Sequence, residues 1–351
     1  MGAPTMSATI AKPAMLAKPG TLAEKTAASN RLLIIFCFFA IYAIWGSTYL
    51  AIRYAVETIP PLYAAGIRHL TSGTILLLWC LAKKVRPTAS QIRTGVVIGV
   101  LFFLLGHGPL HWAETRVPSG LASLLVATEP IFVFFLAALA TKRWQFSWKI
   151  LAGVFLGLAG VGLLVGRTTL TSSRGMLVAS LAILLGAFSW SAGIVYARKS
   201  DLAGHPLLMT ALSSLSGGVM LFTSAAIVGE WKGFSLSSVT ARSWEALAYL
   251  VVFGSLVAFS AYSWLLERYS PTLVATHTYV NPVVAVLLGW MLAGEKVTLN
   301  VGIAAAMVIG AVVLVDRGTA PNPEGRKAIR ARRVNQDPGS YLKGEPEPPS
   351  A

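Results

Sequence analysis

Glu129 lies near the middle of a long apolar run, the one acid of the chain placed so deeply. A lone carboxylate at such depth is costly and by default functional. It could bind a substrate ammonium group or carry a proton, or it could simply be bonded to a neighbouring helix. His277 and Asn281 are four residues apart and share one helical face, as a cavity lining or as a helix-to-helix hydrogen-bonding pair. Trp45 and Tyr49 repeat that spacing in another run, and Trp190 sits in a comparable place further on. Their rings could stack on a planar or cationic ligand, or belong to an interfacial belt. Pro130 and Pro282 each remove one backbone hydrogen bond inside a run, as a helix break or as a packing kink.

Weaker signals accompany these. His107, His111 and Glu114 fall at i, i+4 and i+7, but Pro109 disturbs the geometry, so a polar vestibule or interfacial placement is expected and no metal site. Arg68 and His69 lie near the end of a run, where an arginine snorkels to the headgroups; anion binding is the alternative. Gly157-Leu158-Ala159-Gly160-Val161-Gly162 is no nucleotide loop, because no strand precedes it; Gly153 and Gly157 read as a small-residue packing pair. Cys37 and Cys80 fall in apolar runs and read as packing residues.

The elements that must hold these residues are membrane helices. Hydrophobic residues are 55% of the 351-residue chain and charged residues 12%, about half the charge of a soluble domain. The candidate spans are 32–52, 63–82, 93–114, 119–141, 146–167, 175–197, 206–229, 244–266, 271–293 and 297–316, each near the ~20 residues that cross a hydrocarbon core. Residues 1–31 and 317–351 are polar, proline-containing and read as disordered cytoplasmic tails. The net charge of +15 suggests nucleic acid only until the charges are placed. They crowd into the tails and alternate gaps, as in Lys83-Lys84-Val85-Arg86, whereas the opposite gaps carry few. That asymmetry puts both termini in the cytoplasm and leaves lipid, not nucleic acid, as the surrounding partner.

The two halves echo each other. Ile44-Trp45-Gly46-Ser47 in the first span answers Ser189-Trp190-Ser191 in the sixth, and Pro60 and Pro206 follow the two tryptophans by 15 and 16 residues. Ala127-Thr128-Glu129-Pro130 answers Tyr279-Val280-Asn281-Pro282, 85 and 92 residues from the same tryptophans to the prolines. The fold class expected is all-α and polytopic: ten transmembrane helices in two five-helix repeats, 32–167 and 175–316. Five is odd, so the second repeat enters from the opposite side and the repeats are inverted.

Trp45-Gly46-Ser47-Thr48-Tyr49-Leu50-Ala51-Ile52-Arg53, the following Pro-Pro, Leu125-Val126-Ala127-Thr128-Glu129-Pro130, and Asn281-Pro282 leading to Leu292-Ala293-Gly294-Glu295-Lys296 resemble the EamA family of the drug/metabolite transporter superfamily. The resemblance covers about 32–316. It implies an inner-membrane permease, usually an exporter of amino acids or other small metabolites. One departure is that Ala140-Thr141-Lys142-Arg143 stands where a second Gly-Glu is expected, so Glu295 is expected to be structural in one half only. The expected function is a secondary transporter whose small-molecule substrate sits between Glu129, Asn281, His277, Trp45, Tyr49 and Trp190, alternately exposed to each side. Proton coupling, the direction of transport and a homodimer stay open. No cofactor is expected, since no Walker motif or hydrolase triad is present. A membrane-embedded enzyme is the alternative class, with Glu129 and His277 its sparse candidates.

Overall fold

The computed structural model of the chain describes residues 32–142, 148–171, 174–202, 205–268, 274 and 277–319. The tails expected to be disordered lie outside these residues, except that 317–319 finish the last helix. Among the described residues the regular structure is helical throughout. Seven helices are long and apolar enough to cross a membrane: α1 (Leu32–Ala55), α2 (Pro61–Ala82), α3 (Ala89–Ala113), α4 (Ser119–Thr141), α6 (Arg174–Ala197), α7 (Pro206–Ile227) and α8 (Ala241–Tyr262). Helices α5 (Trp148–Thr171), α9 (His277–Ala293) and α10 (Leu299–Thr319) contain shorter apolar stretches. Large apolar side chains such as Leu78, Phe155 and Leu185 point outward, a surface that suits hydrocarbon and not water.

Proline and threonine mark where helices begin. Pro61 and Pro206 stand at the first turn of α2 and α7, where a missing N–H costs nothing. Thr88 caps α3 in a capping box with Gln91, and Thr240 caps α8 by accepting from the Ser243 amide.

Helix α2 lies along α7, and α5 along α10. Both contacts depend on absent side chains. A Cβ on Gly73 would strike the Leu215 backbone, and one on Gly218 the Leu70 backbone. Gly153 and Gly157 likewise face Ala311 across the α5–α10 contact, consistent with a small-residue packing pair. Helix α3 packs on α6 and α7, while α8 packs on α1 and α2; α4 packs on α6, while α9 packs on α1.

Four segments depart from ideal α geometry. Helix α4 breaks at Ala127–Thr128 and resumes at Glu129, so Pro130 sits in the first turn of the second piece. Pro282 differs: α9 runs through it unbroken from His277 to Ala293. Of the two readings of Pro282, a helix break or a packing kink, the break is therefore not seen. The physical reason is packing, since Gly46 of α1 lies against the Asn281 carbonyl and Val284 and holds α9 in place. Finally, Val100–His107 in α3 and Leu250–Val257 in α8 are π-helical, as is a shorter stretch, Ala40–Ile44, in α1. A wider turn of this kind releases backbone carbonyls from the i→i+4 ladder.

Two carboxylates tie helix starts to distant segments. Glu295, after α9, accepts from the Ser119 amide at 2.8 Å, the Ser119 hydroxyl at 2.8 Å and the Gly120 amide at 3.0 Å, and pairs with Arg53 at 3.0 Å. Glu230, after α7, accepts from the Leu62 and Tyr63 amides at 3.0 and 3.1 Å. Helix N-termini favour such anions. Half-burial pushes the Glu230 carboxyl above its ordinary range, against the opposing pull of those two amides.

Two substitutions test this architecture in thermal unfolding of the purified protein in detergent. Glu295→Ala strips the start of α4 and Arg53 of their partner and should cost about 2–3 kcal/mol. An unshifted midpoint would show that the cap contributes nothing. Gly218→Leu forces α2 and α7 apart and should cost about 1–3 kcal/mol or more; wild-type stability there would mean the helices do not pack this closely.

Candidate functional site

A cavity of about 520 Å³ opens between the two halves of the chain. Its walls come from α1, α2, α3, α4, α6, α7, α8 and α9. Glu129, Asn281, His277, Trp45, Tyr49 and Trp190, the six residues singled out from the sequence, all line it.

The cavity has two aromatic walls. On one, Trp45 packs edge-on against Phe259 and His277, with ring centroids 5.2 and 4.9 Å apart, and against Tyr262 at 5.1 Å. On the other, Trp190 stacks on Phe102 and on His107, at 4.3 and 4.8 Å, and meets Phe103 edge-on. The π-helical stretches hold both walls. Trp45 Nε1 donates to the Gly254 carbonyl in the α8 stretch at 3.1 Å. Ser189, beside Trp190, donates to the Leu101 carbonyl in the α3 stretch at 2.9 Å. In each case a side chain from the first helix of one half satisfies a carbonyl in the third helix of the other half.

Glu129 begins the second piece of α4, so its carboxyl stands at a helix N-terminus facing the cavity. Ser191 donates to its backbone carbonyl at 3.1 Å. Among the described residues no hydrogen bond or ion pair engages the carboxyl itself. Arg68 and Arg198 are the other charged residues on the lining. Asn281 is held more firmly. With its amide nitrogen turned to donate to the carbonyls of Ile41 and Tyr42, both at 3.2 Å, its oxygen accepts from His277 Nδ1 at 3.3 Å. The Ile41 and Tyr42 carbonyls belong to the π-helical stretch of α1.

One expectation needs correction, and another is narrowed. Arg68 does not reach for the headgroups. It is 3% exposed, donates from Nε to Ser255 Oγ at 3.2 Å and lines the cavity. Hydropathy placed it near a span end, but α8 packs over that end and covers it. Of the two placements expected for His107, His111 and Glu114, a polar vestibule or the interface, the interfacial one is not seen; they turn inward beside His69, with His111 and Glu114 buried. Among the described residues no group of three or more His, Cys, Asp or Glu could hold a metal ion. Phe102, Phe103, Phe259, Tyr262 and Ser255 were not singled out from the sequence. The signal available for them was Phe259 and Tyr262 at i, i+3, and Phe103 and His107 at i, i+4.

A family model described as the EamA-like transporter family matches residues 32–166 and 177–316. The chain belongs to that family. It is an integral membrane transporter with multiple apolar helices, and nothing in that membership points to an enzyme. YedA of Escherichia coli (strain K12), named as an inner membrane transporter, is 38% identical over 293 residues, covering 82% of this chain and 92% of YedA. The S-adenosylmethionine/S-adenosylhomocysteine transporter of Chlamydia trachomatis serovar L2 is 26% identical over 277 residues, covering 75% of this chain and 83% of its own length. A solved crystal structure aligns with a TM-score of 0.57 at 19% identity, over 84% of this chain and 98% of its own, a likeness of fold alone.

In this EamA-like transporter, the Trp45 hydrogen bond is separable from its ring packing. Trp45→Phe keeps an aromatic face and should lose about 1 kcal/mol. Trp45→Ala should lose about 3–5 kcal/mol. A Trp45→Phe midpoint equal to that of the wild type would dismiss the Gly254 contact as a stabilising bond.

Proposed function

We propose that the chain is a secondary transporter that exports a small, amine-bearing metabolite, an amino acid or a related compound, by alternating access. The observation that carries this reading is the Glu129 carboxyl, which has no side-chain partner among the described residues and faces a cavity with two aromatic walls. A carboxylate attracts an ammonium group, and the flanking rings favour a cation over their faces. The indole and phenol rings also cover the apolar part of a metabolite, while Asn281 and His277 supply polar contacts.

The mechanism we infer uses ten membrane crossings in two inverted five-helix repeats. Its support is a set of matched contacts. Under exchange of the halves, α2 with α7 and α5 with α10 map onto themselves, α3 with α6 maps onto α8 with α1, and α4 with α6 onto α9 with α1. The third helix of each half carries a threonine cap and a π-helical stretch of eight residues. Rocking of one repeat against the other would open the cavity to each side in turn. The basic gaps and tails favour an inner-membrane setting with both termini in the cytoplasm, and YedA is named as an inner membrane protein.

A second substrate reading has its own support. The chlamydial relative is named for S-adenosylmethionine and S-adenosylhomocysteine. The first carries an ammonium, a sulfonium and a planar base, which suits one free carboxylate between two aromatic walls. For a proton-coupled importer the direction of net movement is reversed and the cavity is the same.

Bacterial cells overproducing the protein, an equally expressed Glu129→Gln variant or an empty vector would be compared by profiling small molecules in the medium. One compound class should accumulate outside only with the unmutated protein. Media that match the empty vector for every compound would remove the exporter reading and turn attention to uptake into proteoliposomes.

A further inference from the structure

Beside the Trp190 wall, α2 and α3 bury a second polar cluster that the substrate reading leaves unused. His69 Nε2 and His107 Nδ1 are 2.8 Å apart, so one proton is shared between two rings. His111 Nδ1 donates to the His107 carbonyl at 2.8 Å, because a carbonyl can only accept. That bond fixes the neutral ring with its Nε2 lone pair free. Glu114 follows three residues later on the same face, just past the end of α3. Arg68, His69, His111 and Glu114 are at most 3% exposed. Five of their atoms find no hydrogen-bond partner among the described residues: Arg68 Nη1, His69 Nδ1, His111 Nε2 and both carboxyl oxygens of Glu114.

Native proteins rarely leave so many buried polar atoms unmatched in one place, and functional sites are the usual exception. The charges that face Glu114 are Arg53 from α1, Arg68 from α2 and Glu295 from the turn after α9, with the Tyr49 phenol also within electrostatic reach. Arg53 is already committed to Glu295. Arg68 is committed to Ser255 and makes no ion pair with Glu114 among the described residues. A charged carboxylate there is eased by the Arg53 backbone and by the Arg53 and Arg68 charges, but it makes no close hydrogen bond or ion pair among the described residues, which is an expensive state. A bound proton removes the charge. His69 and His107 already hold one proton between their rings, and His111 is committed to a carbonyl. The cluster therefore suits one exchangeable proton.

The cluster also reaches the substrate cavity, because His107 and Arg68 line both. Tyr49 lies within electrostatic reach of Glu129 and Glu114 together. We propose that Glu114, with His111, His107 and His69, forms a proton-binding site distinct from the substrate carboxyl Glu129, and that the proton exchanged there drives transport. The inference rests on the transporter reading above. In the closed cluster Glu114 holds the proton. When the end of α3 opens to solvent, the carboxyl releases it to water and the resulting carboxylate is left facing Arg68. Rebinding restores the starting state.

Two measurements on the full chain test this. The first needs no substrate: infrared titration of the protein in lipid bilayers across about pH 5 to 10. A protonated-carboxyl C=O band should titrate in the wild type, persist in Glu129→Gln, vanish in Glu114→Gln and shift its midpoint in His111→Gln. A spectrum indifferent to Glu114→Gln overturns the site. The second uses proteoliposomes with a mixture of amino acids and S-adenosylmethionine as the probe. Glu114→Gln should still exchange the transported compound, yet lose about tenfold of its accumulation under an imposed pH gradient, and Glu114→Asp should restore that accumulation. Glu129→Gln should lose exchange and accumulation alike. Wild-type accumulation by Glu114→Gln overturns the coupling. Absence of exchange by the wild type for every probe counts against the transporter reading instead, and the infrared band then decides the proton site by itself.

Discussion

The carboxylate of Glu295 accepts from the Ser119 and Gly120 amides and pairs with Arg53, so the end of α9 holds the start of α4 and the flank of α1. A helix start carries unpaired N–H groups and a partial positive charge, and in an apolar setting both must be answered by protein. One side chain answers them here and joins three helices in doing so. The position of Glu129 follows from it. Helix α4 is anchored at Ser119, runs to Val126, breaks, and resumes with Glu129 facing the cavity. Glu230 does the same for α2 from the segment after α7, and α2 carries Arg68 and His69. The two carboxylates that fix the frame are thus tied into hydrogen bonds, whereas the carboxyls of Glu129 and Glu114 are not. That contrast, rather than depth, sets the two pairs of acids apart.

The backbone irregularities follow the same accounting of polar groups. Each π-helical stretch widens a turn and frees carbonyls that lipid cannot satisfy. Gly254 takes the Trp45 indole, Leu101 takes the Ser189 hydroxyl, and the α1 stretch takes the Asn281 amide. Each of these contacts joins helices from different halves. The cavity walls are therefore built where the halves are stitched together. Such contacts consist of one or two hydrogen bonds each, of modest net worth, whereas α2–α7 and α5–α10 interlock through glycines at backbone distance. A rocking motion would exchange the former and spare the latter.

Much of the frame was legible in the sequence because hydrophobic length and the chemistry of helix starts are local properties. The apolar runs, the prolines opening α2 and α7, and the place of Gly153 and Gly157 could be read without knowing any neighbour. The cavity residues Glu129, His277, Asn281, Trp45, Tyr49 and Trp190 were legible for a related reason: polar or aromatic groups deep in apolar runs need an interior to face. What failed depended on neighbours. Arg68 near a span end gives no hint that α8 covers it. Pro282 looks like Pro130, yet α9 runs through it unbroken where it packs on Gly46. The π-helical stretches have no local signature at all, since Val100–His107 reads as ordinary apolar helix and is held open by Ser189 from another element.

The histidine cluster shows where depth alone misleads. From spacing, His107, His111 and Glu114 looked like a weak metal pattern at a helix end. In the fold His107 turns its Nδ1 to His69, and His111 commits its Nδ1 to a carbonyl, so the set offers no convergent ligands. Its unmatched atoms include donors and acceptors in close company, an arrangement poor for a cation and good for a proton. A transporter that binds its substrate ammonium and its driving proton on one carboxyl must release one to take the other. Here the two carboxyls are separate, and Tyr49 lies within electrostatic reach of both, so the charge on one would be felt at the other, as an exchange of proton for exported substrate requires. The buried unsatisfied groups cost stability, and that cost is carried by the capped and glycine-packed helices around them.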